Sequence, residues 1–102
     1  MLFWKHLNRR DKIIMALVFI PSQMQALTNG QARVEVEGTN VKQIIENLDK
    51  LHSGFINRLL DEGNLKPSIS IAVDGDIITM GLIEKVHPNS EVHFLPAISG
   101  GN

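Results

Sequence analysis

Ala32-Arg33-Val34-Glu35-Val36-Glu37-Gly38-Thr39-Asn40-Val41-Lys42-Gln43-Ile44-Ile45-Glu46-Asn47-Leu48-Asp49-Lys50-Leu51 changes its hydrophobic period halfway along, and that change decides the fold. Up to Glu37 the pattern alternates: Val34 and Val36 face a core, while Arg33, Glu35 and Glu37 face solvent, as in a half-buried strand. Gly38 ends the alternation. From Asn40 onward the apolar residues are Val41, Ile44, Ile45, Leu48 and Leu51, with Lys42, Glu46, Asp49 and Lys50 largely opposite. This is the single apolar stripe of an amphipathic helix. Asn40 suits its N-cap, Gln43 three residues on completes a capping-box pattern, and Gly54 supplies the stop.

Upstream, Ala16-Leu17-Val18-Phe19-Ile20 is a short apolar run closed by Pro21, read as a strand buried on both faces. Asn29-Gly30 is a turn signal, so this run and Ala32–Glu37 form an antiparallel hairpin with a loop longer than two residues. Downstream, Phe55–Leu60 reads as a short helical or irregular segment and Asp61-Glu62-Gly63-Asn64 as a loop. Ser68–Val73 alternates again, with Ile69, Ile71 and Val73 inward, and Asp74-Gly75 turns the chain. Residues 77–84 suggest a short edge strand broken by Gly81. Pro88-Asn89-Ser90 is a turn, and Glu91–Pro96 is the last strand. A hairpin, one crossing helix, and further strands make an α+β fold of the β-grasp type: a mixed sheet of four to five strands with one main helix packed across it.

At 102 residues, the chain is long enough for one modest core. Residues 1–15 carry Lys5, Arg9, Arg10 and Lys12 against Asp11, whereas residues 16–102 hold six basic and ten acidic side chains. An acidic body argues against nucleic acid as a partner, because phosphate binding needs clustered Lys and Arg. No apolar run reaches the length of a membrane span. The basic residues up to Lys12 and the run Ile13–Ile20 resemble a secretory signal, but Met24 stands where cleavage prefers a small residue. Removing that run would also leave Ala32–Glu37 without its hairpin partner, so Ala16–Ile20 stays in the domain. The expected organisation is an N-terminal extension over 1–15, the domain over 16–98, and a flexible tail over 99–102. The absence of cysteine fits a reducing compartment, and the expected location is the cytoplasm.

Signatures of catalysis are missing: no phosphate-binding glycine loop, no nucleophile elbow and no paired-histidine zinc motif. His6, His52, His87 and His93 lack ligand-like spacing, and His93 falls on the outer face of the last strand, so no metal site is expected. Asp74 and Asp76 read as a hairpin turn rather than a carboxylate pair. What remains is Gly100-Gly101 at the end of the last strand. Alone it is an ordinary terminus; after a β-grasp body it becomes specific.

From Ala16 to Gly101 the chain resembles the MoaD/ThiS family of ubiquitin-like sulfur carriers. The resemblance rests on Gly30-Gln31, Val34-Glu35-Val36-Glu37-Gly38, Val41, Arg58-Leu59-Leu60-Asp61 and Val73-Asp74-Gly75-Asp76-Ile77. The most telling block is Val92-His93-Phe94-Leu95-Pro96-Ala97-Ile98-Ser99-Gly100-Gly101, which looks closest to carriers serving cysteine synthesis. Residues 1–14 have no counterpart in that pattern, which favours Met15 as the start of the domain.

The resemblance implies a carrier rather than an enzyme, binding no cofactor of its own. A ubiquitin-activating-like partner would use ATP to adenylate the Gly101 carboxylate, sulfur would replace AMP to leave a thiocarboxylate, and an acceptor synthase would take the sulfur. Gly100 and Gly101 suit this because a residue without Cβ passes a narrow channel. Molybdopterin, thiamine and cysteine synthesis all use this body plan. Leu95, Ile98 and Ser99 are the expected partner-binding residues. Asn102 departs from the pattern, since the free carboxylate then lies one residue too late; its removal, by a metallopeptidase, is the implied processing step. The alternatives are a β-grasp interaction module without carrier chemistry and a ubiquitin-like protein modifier.

Overall fold

The computed structural model describes residues 14–96. The alternating stretches become β1 (Met15–Phe19) and β2 (Arg33–Glu37), paired antiparallel with Ala16 opposite Val36 and Val18 opposite Val34. The hairpin is extended at both ends by Ile20 N–H to the Ala32 carbonyl and Gly38 N–H to the Ile14 carbonyl, each 2.8 Å. Its connection holds a 3-10 helix, Ser22–Thr28, and then a turn in which Asn29 and Gly30 take φ of 56° and 88°. Two successive left-handed residues explain the Asn-Gly pair, since Asn tolerates that region and Gly meets no steric cost there.

β1 begins one residue earlier than expected, and its faces are unequal. Ala16, Val18 and Ile20 are buried, whereas Met15, Leu17 and Phe19 are only half-buried. A helix covers only one face of the sheet; the other is shielded by its own cross-strand neighbours. Phe19, for instance, stacks on His93 with ring centroids 4.2 Å apart.

The helical stripe becomes α1 (Val41–Leu51), with Val41, Ile44, Ile45 and Leu48 wholly buried. Asn40 Oδ1 accepts the Gln43 N–H at 2.8 Å, as an N-cap should. The reciprocal bond is displaced by one residue: Gln43 Oε1 accepts from Thr39, from its N–H at 2.8 Å and its hydroxyl at 3.0 Å. Leu51 leaves the core and is 58% exposed. It is the last helical residue, beyond the layer that covers Leu48, and it lies beside Met15, Glu35 and Glu37 at the sheet edge.

The helix is capped at His52, and Gly54 opens the next element, α2 (Phe55–Leu59). Gly54 has φ of 112°, and a Cβ there would come within 2.8 Å of the Leu27 side chain. Asp49 ties the two helices by accepting the Gly54 N–H at 3.1 Å and the Ile56 N–H at 3.0 Å. The expected loop 61–64 is instead a tight hairpin of β3 (Leu60–Asp61) and β4 (Asn64–Leu65). Glu62 and Gly63 turn it at φ of 52° and 82°.

β5 (Ile69–Val73) puts Ile71 in the core and rests half-buried Ile69 and Val73 against it. Asp74-Gly75 leads to a two-residue β6 (Asp76–Ile77), and Gly81 opens a second 3-10 helix, Gly81–Ile83, rather than breaking a strand. β7 (Glu91–Pro96) completes a five-stranded mixed sheet in the order β2-β1-β7-β5-β6. The β-grasp arrangement read from the sequence is the observed one.

Two leucines of the same helical stripe should behave differently. Leu48→Ala should cost about 2–5 kcal/mol, through lost burial and the cavity left behind. Leu51→Ala should stay within about 0.5 kcal/mol. Urea unfolding of both variants measures the contrast.

Candidate functional site: the root of the tail

β7 is the strand that carries the chain toward Gly100-Gly101, and its position is fixed from both sides. It pairs parallel with β1, Val18 opposite Val92 and Phe19 opposite His93, and antiparallel with β5 from Val73–Val92 to Ile69–Pro96. Val92 and Phe94 are buried in the core; Glu91, His93 and Leu95 point to the outer face.

The start of β7 is held by Asp74. Its carboxylate accepts the Glu91 N–H at 2.9 Å and the Ser90 hydroxyl at 2.7 Å, while its own N–H donates to the Glu91 carbonyl at 2.9 Å. Ser90, almost fully buried, also accepts the His87 N–H at 3.0 Å. The Glu91 bond first and then the Ser90 bond hold the Asp74 carboxyl below its ordinary value of 3.8, against the opposing effect of burial, with the nearby His87 the smallest contribution. Asp74 therefore acts as a tie across sixteen residues of sequence. Asp76, its neighbour on β6, takes no part in that tie.

The far end of β7 opens on a groove of about 270 Å³ that the topology assembles from four segments. Because β1 and β7 are parallel, the chain leaving β1 brings Pro21 and Met24 to the place where Leu95 and Pro96 emerge. Because β5 is antiparallel, its entry brings Lys66 and Ile69 to the same place. Arg58 of α2 closes the wall, its Nη2 3.4 Å from the Gln23 carbonyl. Lys66 is fixed beside it, since its N–H bonds the carbonyl of Leu59 at 2.9 Å.

Leu95 is thus half-buried at the root of the tail, opposite Ser70. Ile98, Ser99, Gly100, Gly101 and Asn102 lie outside the described residues. The outer face of the sheet carries one row across all five strands, Arg33–Phe19–His93–Ala72–Ile77, with the Phe19–His93 stack at its centre. The expectation of an outward-facing His93 agrees with this row. Sequence reasoning missed that Arg58 and Lys66 line one groove, for which the only local signal was two basic residues in an acidic body. Among the described residues, no group of three or more His, Asp or Glu could hold a metal ion, and no helix is long and apolar enough to cross a membrane.

Residues 18–101 match the model of the ThiS family. The sulfur carrier protein CysO of Mycobacterium tuberculosis is 30% identical over 89 residues, covering 82% of this chain and 96% of that protein. Among solved structures, a chain of the BexX/CysO complex of Amycolatopsis orientalis superposes with a TM-score of 0.78 at 31% identity, covering 84% of this chain and 99% of that one. The small archaeal modifier protein 1 of Methanosarcina acetivorans shares the fold at a TM-score of 0.72 and 20% identity, over 87% of this chain and 98% of that one.

The Asp74 tie sets a pH dependence. A carboxyl whose folded pKa is lowered contributes stability that is fully present above its unfolded value and is lost as pH falls through the lowered one. Asp74→Asn should cost on the order of 1 kcal/mol at neutral pH, allowing for solvent screening. The gap between wild type and variant should close as pH drops below 3.8, which thermal melts across an acid series would follow.

Proposed function

The chain belongs to the ThiS family of ubiquitin-like sulfur carriers, and on that premise we propose that its reactive group is the main-chain carboxylate of Gly101. The observation that carries this reading is the extent of the family match, which runs through the body and the diglycine to residue 101 and leaves Asn102 outside. The protein is a carrier and a co-substrate of other enzymes, with no catalytic side chain of its own.

In this proposal an adenylating enzyme of the ubiquitin-activating type binds the body and draws the tail toward ATP. A Gly101 carboxylate oxygen attacks the α-phosphorus, pyrophosphate leaves, and a sulfur nucleophile then displaces AMP to give the thiocarboxylate. Two glycines let the main chain approach the phosphate without a Cβ in the way. Leu95, with Ile98 and Ser99, seats the root of the tail on the partner, and the apolar outer face around Phe19 extends that contact. Asn102 is removed first, by a metallopeptidase, because activation one residue late would put sulfur on the wrong carbonyl. The similarity to proteins named CysO points to cysteine synthesis as the destination of the sulfur, rather than molybdopterin or thiamine, and a cytoplasmic setting suits that role.

Intact-mass measurement on protein recovered from its native cells tests the reading. The expected species has lost the Asn102 residue, and part of it has one oxygen replaced by sulfur. A single species that retains Asn102 and carries no sulfur would overturn both processing and carrier chemistry. In a purified system, the form ending at Gly101 should support ATP–pyrophosphate exchange at least tenfold faster than the form ending at Asn102.

A further inference from the structure

We infer that the Arg58–Lys66 groove at the root of the tail is a charge-reading contact for the tail-activating partner, which seats an acidic segment there. The inference rests on the carrier reading above and names where, beyond the tail itself, the partner recognises the body.

Four observations carry it. First, the groove adjoins the exit of the chain: Pro96, its rim residue, is the last of β7, so a partner that engages residues 97–101 comes next to this surface. Second, the groove is basic in an acidic body. Residues 16–102 hold six basic and ten acidic side chains, yet two of the six basic ones line this groove and, among the described residues, no carboxylate does. Third, neither cation has an acidic partner among the described residues, where the ion pairs are Lys42 with Glu46 and His93 with Glu91. Fourth, both are positioned. The Lys66 backbone is pinned to the carbonyl next to Arg58, and the Arg58 guanidinium spends one N–H on Gln23 at 3.4 Å, leaving the rest of its five donors for a ligand.

A basic pair above a floor of Phe94, Leu95 and Met24 fits a segment in which acidic side chains flank an apolar one. An arginine presents a planar fork suited to a carboxylate, and an exposed charge of this kind acts on encounter and register more than on the chemical step. The groove therefore distinguishes a partner with an acidic channel mouth from one with a basic mouth, before the diglycine is engaged.

The test is ATP–pyrophosphate exchange by the ubiquitin-activating-like enzyme of the same organism, with the carrier ending at Gly101. Arg58→Glu/Lys66→Glu should raise the KM for the carrier at least tenfold with kcat within twofold, and raising the salt should narrow the gap. Arg58→Lys/Lys66→Arg should restore KM to within threefold of wild type. Lys42→Glu, a charge reversal on α1, should leave KM within twofold. Melting temperatures of all variants within a few degrees of wild type separate recognition from folding. A KM for the double reversal within twofold of wild type, while deletion of Gly100-Gly101 abolishes exchange, would overturn this inference and leave the carrier reading standing. Equal losses in the Lys42 control would also overturn it, by showing a diffuse charge effect. No exchange with the wild-type chain ending at Gly101 would sink the carrier reading and this inference together.

Discussion

The parallel pairing of the first described strand with the last governs the molecule. β1 and β7 lie side by side in the middle of the sheet. Parallel neighbours cannot be joined by a tight turn, so the chain between them must travel over the sheet and return. That journey supplies α1, whose buried stripe of Val41, Ile44, Ile45 and Leu48 covers the inner face. The same pairing puts the ends of β1 and β7 at one edge. The segment after β1, the entry to β5 and the exit toward residue 97 are therefore neighbours, although Pro21 and Pro96 are 75 residues apart in sequence.

With that frame set, the polar side chains in and near the core are spent on holding it. Thr28 donates to the Gln31 carbonyl at 2.8 Å, Asp49 joins α1 to α2, and Ser90 and Asp74 secure the start of β7. Among the described residues, no buried side-chain nitrogen or oxygen lacks a partner. These polar groups answer one another, and in doing so they hold the sheet and the two helices in place.

Legibility followed the range of the interactions. β2 and α1 were readable because alternation, the helical stripe and the Asn40 cap are all written within a few residues. Even there Leu51 was misplaced, since the stripe shows which way a side chain points and not where the covering layer ends. The β3–β4 hairpin was missed because its two-residue strands are too short to alternate, and only the left-handed pair Glu62-Gly63 marks it. The tie from Asp74 to Ser90 spans sixteen residues and the Arg58–Gln23 bond thirty-five, so no local pattern could announce either. The diglycine was legible as a motif, but its surroundings depend on strand order, and sequence gives that only through a family pattern.

The proposal that the terminus is delivered to a partner also sets an energetic demand on the rest of the chain. Fixing backbone costs about 1–2 kcal/mol per residue, so in that proposal holding the five residues 97–101 extended in a partner's channel would cost up to about 5–10 kcal/mol. That upper figure lies between the whole binding free energies of a micromolar and a nanomolar complex, about 8 and about 12 kcal/mol. Two glycines make the cost larger, since glycine has the most conformational freedom to lose. Glycine is required for passage and is poor at binding. In the proposed reading the free energy that draws the tail in comes from surface outside it, and the surface nearest to hand is the one the sheet assembles: Leu95, the Phe19–His93 face and the basic groove at Pro96. In the proposed reading, the β-grasp body beneath the diglycine is the part of the carrier that makes threading favourable.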